Sequence, residues 1–283
     1  DSIALYLESK YSELNESNVR SIAKHFDMSG NLHKAPMYLE RAAAFDRKYF
    51  SYRQAVEKYE EALKYYEEAG DSPSVGNTVL RIASVYLAVG NMKKGIDVLD
   101  FYSEILQKDS NIKCQYLFFK GILSDRSGDV RSAESNYSLA LQIAQDLSDK
   151  SMTAKINNSF GIMKTAAGDF DEALNYFNRA IDISIKTNNY ADVSSQYINI
   201  GKVYGMMNNF ENALKYYELA YNMQISYDDK KGMVLSLVNM GTVYDSMGNI
   251  QKAEESYSEA LKKAIETSND TERARILNNI ANI

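Results

Sequence analysis

The chain has 283 residues, of which 45% are hydrophobic and 25% charged, with a formal net charge of −6. That acidic balance is a poor match for nucleic acid, whose phosphates are held by lysine and arginine. No apolar run approaches the roughly 18 residues of a membrane span, and the single cysteine, Cys114, rules out an intrachain disulfide.

Only two prolines interrupt the chain, which permits long helices because an interior proline costs about 3 kcal/mol. There is no tryptophan, but 22 tyrosines supply large apolar bodies with polar tips, suited to a thin core that is never far from water. The chain opens Asp1-Ser2-Ile3 with no leader pattern and stops at Ile283 within a helical pattern, so a segment of a longer, cytoplasmic protein is expected.

Residues 1–72 form an irregular N-terminal part. Ala23, Phe26, Gly30-Asn31, Ala35, Leu39 and Ala42 fit one helical hairpin. Ala55, Tyr59 and Ala62 then fit a further second helix only 20 residues on, so a helix from about 32 to 49 serves both hairpins. No linker rich in proline, glycine or serine follows, and this part reads as continuous with what comes next.

Residues 73–283 repeat. Gly161, Gly201 and Gly241 are 40 residues apart, with Gly121 and Ala83 at the same place earlier and Ala281 later. Ala173, Ala213 and Ala253 each follow the small residue by 12. Phe177, Tyr217 and Tyr257 come four later, and Ala180, Ala220 and Ala260 three after that; Ala133, Tyr137 and Ala140 do the same one unit before. Spacings of three and four share a helix face, so each unit is two amphipathic helices, A and B. Between them recur Gly90-Asn91, Gly128-Asp129, Gly168-Asp169, Asn208-Asn209 and Gly248-Asn249. The first residue suits the left-handed conformation that closes a helix, and the second caps the next. Gly201 and Ala213 are expected to face each other where the two helices cross, with Tyr217 filling the space toward the next hairpin.

This pattern resembles the tetratricopeptide repeat in its long, 40-residue form, as in kinesin light chains, mitotic-spindle adaptors and Gram-positive peptide-pheromone receptors. The resemblance implies an all-α, right-handed α-solenoid of antiparallel helix pairs, with about five repeats and a truncated sixth over 73–283. The segment from His25-Phe26 through Tyr38-Leu39-Glu40-Arg41-Ala42 to Tyr59 is similar to the start of helical arrays in bacterial signalling ATPases and class III adenylyl cyclases.

Sites of chemistry are absent from the pattern. Neither GxxxxGK[ST] nor GxGxxG occurs. His25 and His33 have no cysteine near them, so no metal site and no cofactor are expected. Cys114 lies among Tyr116, Leu117 and Phe118 and reads as a small buried hydrophobe. Tyr216-Tyr217 and Tyr65-Tyr66 place one ring of each pair in the core, while Tyr197 and Tyr204 are alternatives for an exposed aromatic groove.

One asparagine recurs per repeat: Asn199 and Asn239 two residues before their glycines and Asn279 two before Ala281. An amide both donates and accepts, so such a ladder can hold an extended peptide backbone whatever its side chains. In the families named, asparagines of this kind hold the ligand backbone, and the resemblance implies the same here. The alternative is that these amides bond neighbouring helices. The equivalent positions upstream are Ser159, Phe119 and Arg81, while Asn158 is expected to point elsewhere. Lys155 and Lys202 lie on the same broad face, placed to meet a carboxylate.

The reading is a non-catalytic scaffold that binds a protein or extended peptide on its A-helix face, without nucleic acid or membrane. Two alternatives stand beside it. One is a regulatory or sensor arm of a larger signalling ATPase or cyclase. The other is a module that self-associates through an exposed apolar face of the last helix, carrying Ile276, Leu277 and Ile280.

Overall fold

The computed structural model describes residues 2–11, 15–266 and 270–283. They form two compact units, Asp1–Leu147 and Ser148–Ile283. Unit 1 holds α1 (Ser2–Lys10), α2 (Glu16–Met28), α3 (Lys34–Lys48), α4 (Tyr52–Glu68), α5 (Ser72–Ala88), α6 (Met92–Phe101), α7 (Ser103–Leu106), α8 (Ser110–Ser127) and α9 (Val130–Asp146). Unit 2 holds α10 (Lys150–Ala167), α11 (Phe170–Lys186), α12 (Tyr190–Met206), α13 (Phe210–Ser226), α14 (Lys230–Ser246), α15 (Ile250–Glu266) and α16 (Asp270–Asn282). Within each unit the helices pack against their neighbours in chain order, an all-α solenoid of antiparallel pairs.

The turn chemistry explains the antiparallel reversal. Gly90, Gly128, Gly168, Asn208 and Gly248 all have positive φ, between 57° and 87°. Asn91, Asp129, Asn209 and Asn249 then each accept a hydrogen bond from the backbone N–H three residues on. The turns between repeats use the same device without glycine: Ser148, Asn188 and Asp228 are left-handed, and Asp149, Asn189 and Asp229 cap the helices that follow.

Small residues on the A helices seat the rings of the B helices. A Cβ built on Gly201 would lie 2.6 Å from the Tyr217 ring, and one on Gly161 2.5 Å from Phe177. Tyr217 rests against Gly201 in its own hairpin, where the missing side chain leaves a seat for the ring, and it also shares a core with Leu235, Met240 and Val243 of α14 in the next hairpin.

α3 joins two hairpins through a charge. Asp46, 1% exposed, pairs with Arg20 of α2 on one side and with Lys58 of α4, at 2.8 Å, on the other. The 38-residue unit also departs from the pattern. Gly95 stands where the other B helices carry alanine, Leu123 fills the space beside it, and the helix breaks at Tyr102, whose hydroxyl donates to Glu67 at 2.8 Å.

Buried polar pairs join successive repeats in unit 2. Gln196 Nε2 reaches Ser184 Oγ at 3.4 Å, and 40 residues later the types are exchanged: Ser236 Oγ donates to Gln224 Oε1 at 2.8 Å. All four are at least 97% buried, and the next equivalents, Ala264 and Ile276, are apolar members of one core. Gln224→Ala alone should cost about 1–3 kcal/mol, since it strands the Ser236 hydroxyl. Gln224→Ala combined with Ser236→Ile, which copies the next repeat, should restore most of that in urea denaturation. A double variant as unstable as the single would show that the amide fills space that alanine and isoleucine cannot.

Ile276 is therefore core, fully buried against α15, rather than part of an exposed terminal face. The α16 helix turns its apolar side onto the preceding hairpin as every A helix does; Leu277, 50% exposed, faces outward.

Candidate ligand-binding face

The Asn189 cap starts α12 and thereby sets its rotation. Residues 192, 195, 199 and 202 then share one face, by the helical spacings of three, four and three. Because the repeat length is constant, the same face recurs on each A helix of unit 2. Lys155, Ser195, Leu235 and Arg275 form one row at 40-residue intervals. Ser159, Asn199, Asn239 and Asn279 form the next.

The sequence-predicted residues meet different fates on this face. Asn199 is half-buried, and its Nδ2 donates to Asn158 Oδ1 of α10 at 3.0 Å. Asn158 thus points toward the ladder rather than away from it, one position off register, because adjacent A helices present neighbouring side chains to each other. Asn239 is also half-buried, but its amide nitrogen is shut off from water and meets no acceptor among the described residues. Such a donor ordinarily costs about 1–3 kcal/mol when left unpaired. Asn279 is half-buried on α16.

Lys155 is exposed and lines a cleft of about 60 Å³ with Asn158, Asp192, Ser195 and Gln196. The Oε1 of Gln196 is buried and has no hydrogen-bond partner among the described residues. Lys202 is open to water, yet lost hydration and then repulsion by Arg275 hold its ammonium below the ordinary lysine value. Arg275 escaped the sequence reading, although it occupies the register of Lys155. Its one described ion pair is with Glu272, at 2.7 Å in its own helix.

The aromatic alternative resolves into packing. Tyr204 stacks on Tyr216 with centroids 5.5 Å apart, Tyr197 tilts against the same ring at 5.9 Å, and all three are half-buried beside the α11–α12 core. Cys114 is buried, its Sγ 3.3 Å from the Ala140 carbonyl oxygen. Among the described residues no three His, Cys, Asp or Glu side chains are grouped to hold a metal, and no helix is long and apolar enough to cross a membrane.

A family model described as the tetratricopeptide repeat matches residues 121–186, 152–226 and 192–266, together just over half of the chain. The chain belongs to the tetratricopeptide repeat family. Solved structures described as carrying tetratricopeptide repeats are among its neighbours in fold, beside others not so described. BtubC from P. vanneervenii is 21% identical, with a TM-score of 0.63 over 82% of this chain and 92% of that one. A Signal Transduction ATPase with Numerous Domains with a tetratricopeptide repeat sensor, from Pyrococcus horikoshii, is 18% identical, with a TM-score of 0.69 over 89% of this chain but 39% of that one. A Rap protein complexed with competence and sporulation factor is 16% identical, with a TM-score of 0.62 over 93% and 79%. At these identities the likeness is one of fold. No curated protein matches by sequence.

Proposed function

We propose that this tetratricopeptide chain is a non-catalytic module that holds an extended peptide segment against the A-helix face of its second unit. The observation that carries the reading is the row of half-buried amides Asn199, Asn239 and Asn279 at one register of successive A helices; the sheltered, unpaired Asn239 amide nitrogen gains an acceptor when that side chain turns outward to a ligand. Lys155, Lys202 and Arg275 lie along the same face, so a segment bearing carboxylates is favoured. In this reading the amides grip the peptide backbone and the cations choose among side chains. Asn199 exchanges its bond to Asn158 for one to the ligand, and that exchange lowers its net contribution below that of Asn239. The Rap protein bound to competence and sporulation factor offers a precedent in the same fold.

The test is panning of a displayed peptide library on the intact chain, followed by calorimetry with the selected peptides. Asn199→Ala with Asn239→Ala should weaken peptides of unrelated sequence alike, by on the order of tenfold, from about 1 kcal/mol per backbone hydrogen bond. Equal affinity for wild type and variant would remove the ladder from the binding site. If panning enriches nothing, the better reading becomes a sensor arm acting within a longer polypeptide, which the signalling ATPase neighbour favours.

A further inference from the structure

One turn of unit 1 breaks the rule that the other turns obey. Phe50, between α3 and α4, has a φ of 61°. Every other described residue with positive φ is glycine, asparagine, aspartate or serine. The left-handed conformation crowds a bulky side chain against its own backbone, so phenylalanine is a costly choice where glycine would serve. Packing does not offset that cost. Phe50 is 77% exposed, and its one described ring contact is edge-to-face with Tyr52, centroids 6.0 Å apart. Tyr49 beside it is 55% exposed. Strain kept at an exposed position points to a role in function.

The surroundings are cationic, against the net charge of the chain. The α5–α6 turn lies at the same end of unit 1, because antiparallel neighbours bring alternate turns together. Tyr52 and Arg53 from one turn and Val89 and Lys94 from the other line one groove of about 410 Å³. Arg47, Lys48, Arg53, Lys93 and Lys94 fall within residues 47–53 and 85–96, which contain no carboxylate. Arg53 pairs with Glu57 at 2.9 Å; the other four are exposed and make no ion pair among the described residues. Asp46, just before them, is buried and already paired with Arg20 and Lys58. The groove itself is balanced, since Glu57 and Glu60 line it beside Arg53 and Lys94, so it offers no cationic track for a nucleic-acid strand. The excess charge and the exposed rings are at the turns. That combination matches an anionic lipid surface: aromatic rings settle at the headgroup level, cations attract the headgroups, and fluid lipid requires no shape complementarity.

We propose that this end of unit 1 docks on an anionic lipid surface, with Phe50 and Tyr49 entering the interface and Arg47, Lys48, Lys93 and Lys94 against the headgroups. The acidity of the whole chain and its want of a long apolar helix among the described residues set aside a membrane span, not a peripheral contact at this end. The contact is independent of the asparagine face of unit 2 and stands whether or not that face binds.

The experiment sediments the full chain with vesicles of phosphatidylcholine alone and of equal parts phosphatidylcholine and phosphatidylglycerol. The chain should pellet with the anionic vesicles only, and added salt should release it. Phe50→Gly copies the other turns, so its thermal stability should equal or exceed that of wild type, while its vesicle affinity falls about tenfold with the loss of one buried ring. Lys48→Glu with Lys93→Glu should weaken binding by more than about tenfold, at roughly fivefold for each charge removed. Because the chain has no tryptophan, Phe50→Trp supplies a single reporter whose emission should shift to the blue with anionic vesicles. The proposal is overturned if wild type stays in solution with anionic vesicles, if neutral vesicles bind it as well, or if either weakened variant binds like wild type. Two further results overturn it. One is a single-stranded oligonucleotide bound by wild type and lost in Phe50→Gly, which makes the turn a base-stacking site. The other is a lipid-free dimer, seen by analytical ultracentrifugation, that Phe50→Gly separates.

Discussion

Asp46→Ala is expected to destabilise the first unit by about 3–5 kcal/mol, the usual cost of removing one partner from a buried ion pair. The carboxylate is 1% exposed, and two cations, Arg20 and Lys58, converge on it from helices on either side. Without it, both side chains must find water or remain uncompensated. Arg20 is 36% exposed and can turn outward, so most of the cost falls on Lys58 and on the cavity. The three groups lie on α2, α3 and α4, so the loss should be local: hydrogen exchange should quicken across these helices and leave α10–α16 unchanged. Replacing all three by well-packed apolar residues should recover the stability, since pairing in the interior offsets desolvation without greatly exceeding it. A change below about 1 kcal/mol for Asp46→Ala would mean that the pair is open to water and does not join the two hairpins.

Phe177→Ala should cost about 3–5 kcal/mol, as for other large-to-alanine core substitutions. The ring is 1% exposed and rests on Gly161. Gly161→Ala should cost about 1–3 kcal/mol by overpacking, because its new Cβ would sit 2.5 Å from that ring. The informative measurement is the double-mutant cycle. With the ring gone the added methyl has room, so the two substitutions together should cost less than their sum, by an amount well outside the roughly 0.5 kcal/mol seen for independent sites. Additive costs would mean that the helices shift apart to accept the methyl and that the seat is not rigid.

The periodic features were legible in the sequence because they answer to local rules. A left-handed residue reverses the chain at 90, 128, 168, 208 and 248, so those dipeptides located the turns; the expected side-chain cap follows at four of them, while Asp169 makes none. The alternation of small and aromatic residues at helical spacing likewise located the core, and the constant repeat length set the A helices in register. For that reason the face carrying Asn199, Asn239 and Asn279 was visible before any coordinates.

What the tertiary structure decided is how side chains from different helices meet, because repeat register fixes a position along each helix but not the partner across the gap. Tyr217 sits on Gly201 of its own hairpin, Asn199 bonds Asn158 one place off register, and Asn239 is left with an unpaired donor. The exchanged Ser184–Gln196 and Gln224–Ser236 pairs are conspicuous only once the helices carrying them are packed. Arg275 lowers the Lys202 pKa from a helix two A helices away, an influence that a linear reading does not show. Ile276 is buried because an A helix turns its apolar side to the hairpin before it, even where no further repeat has been added.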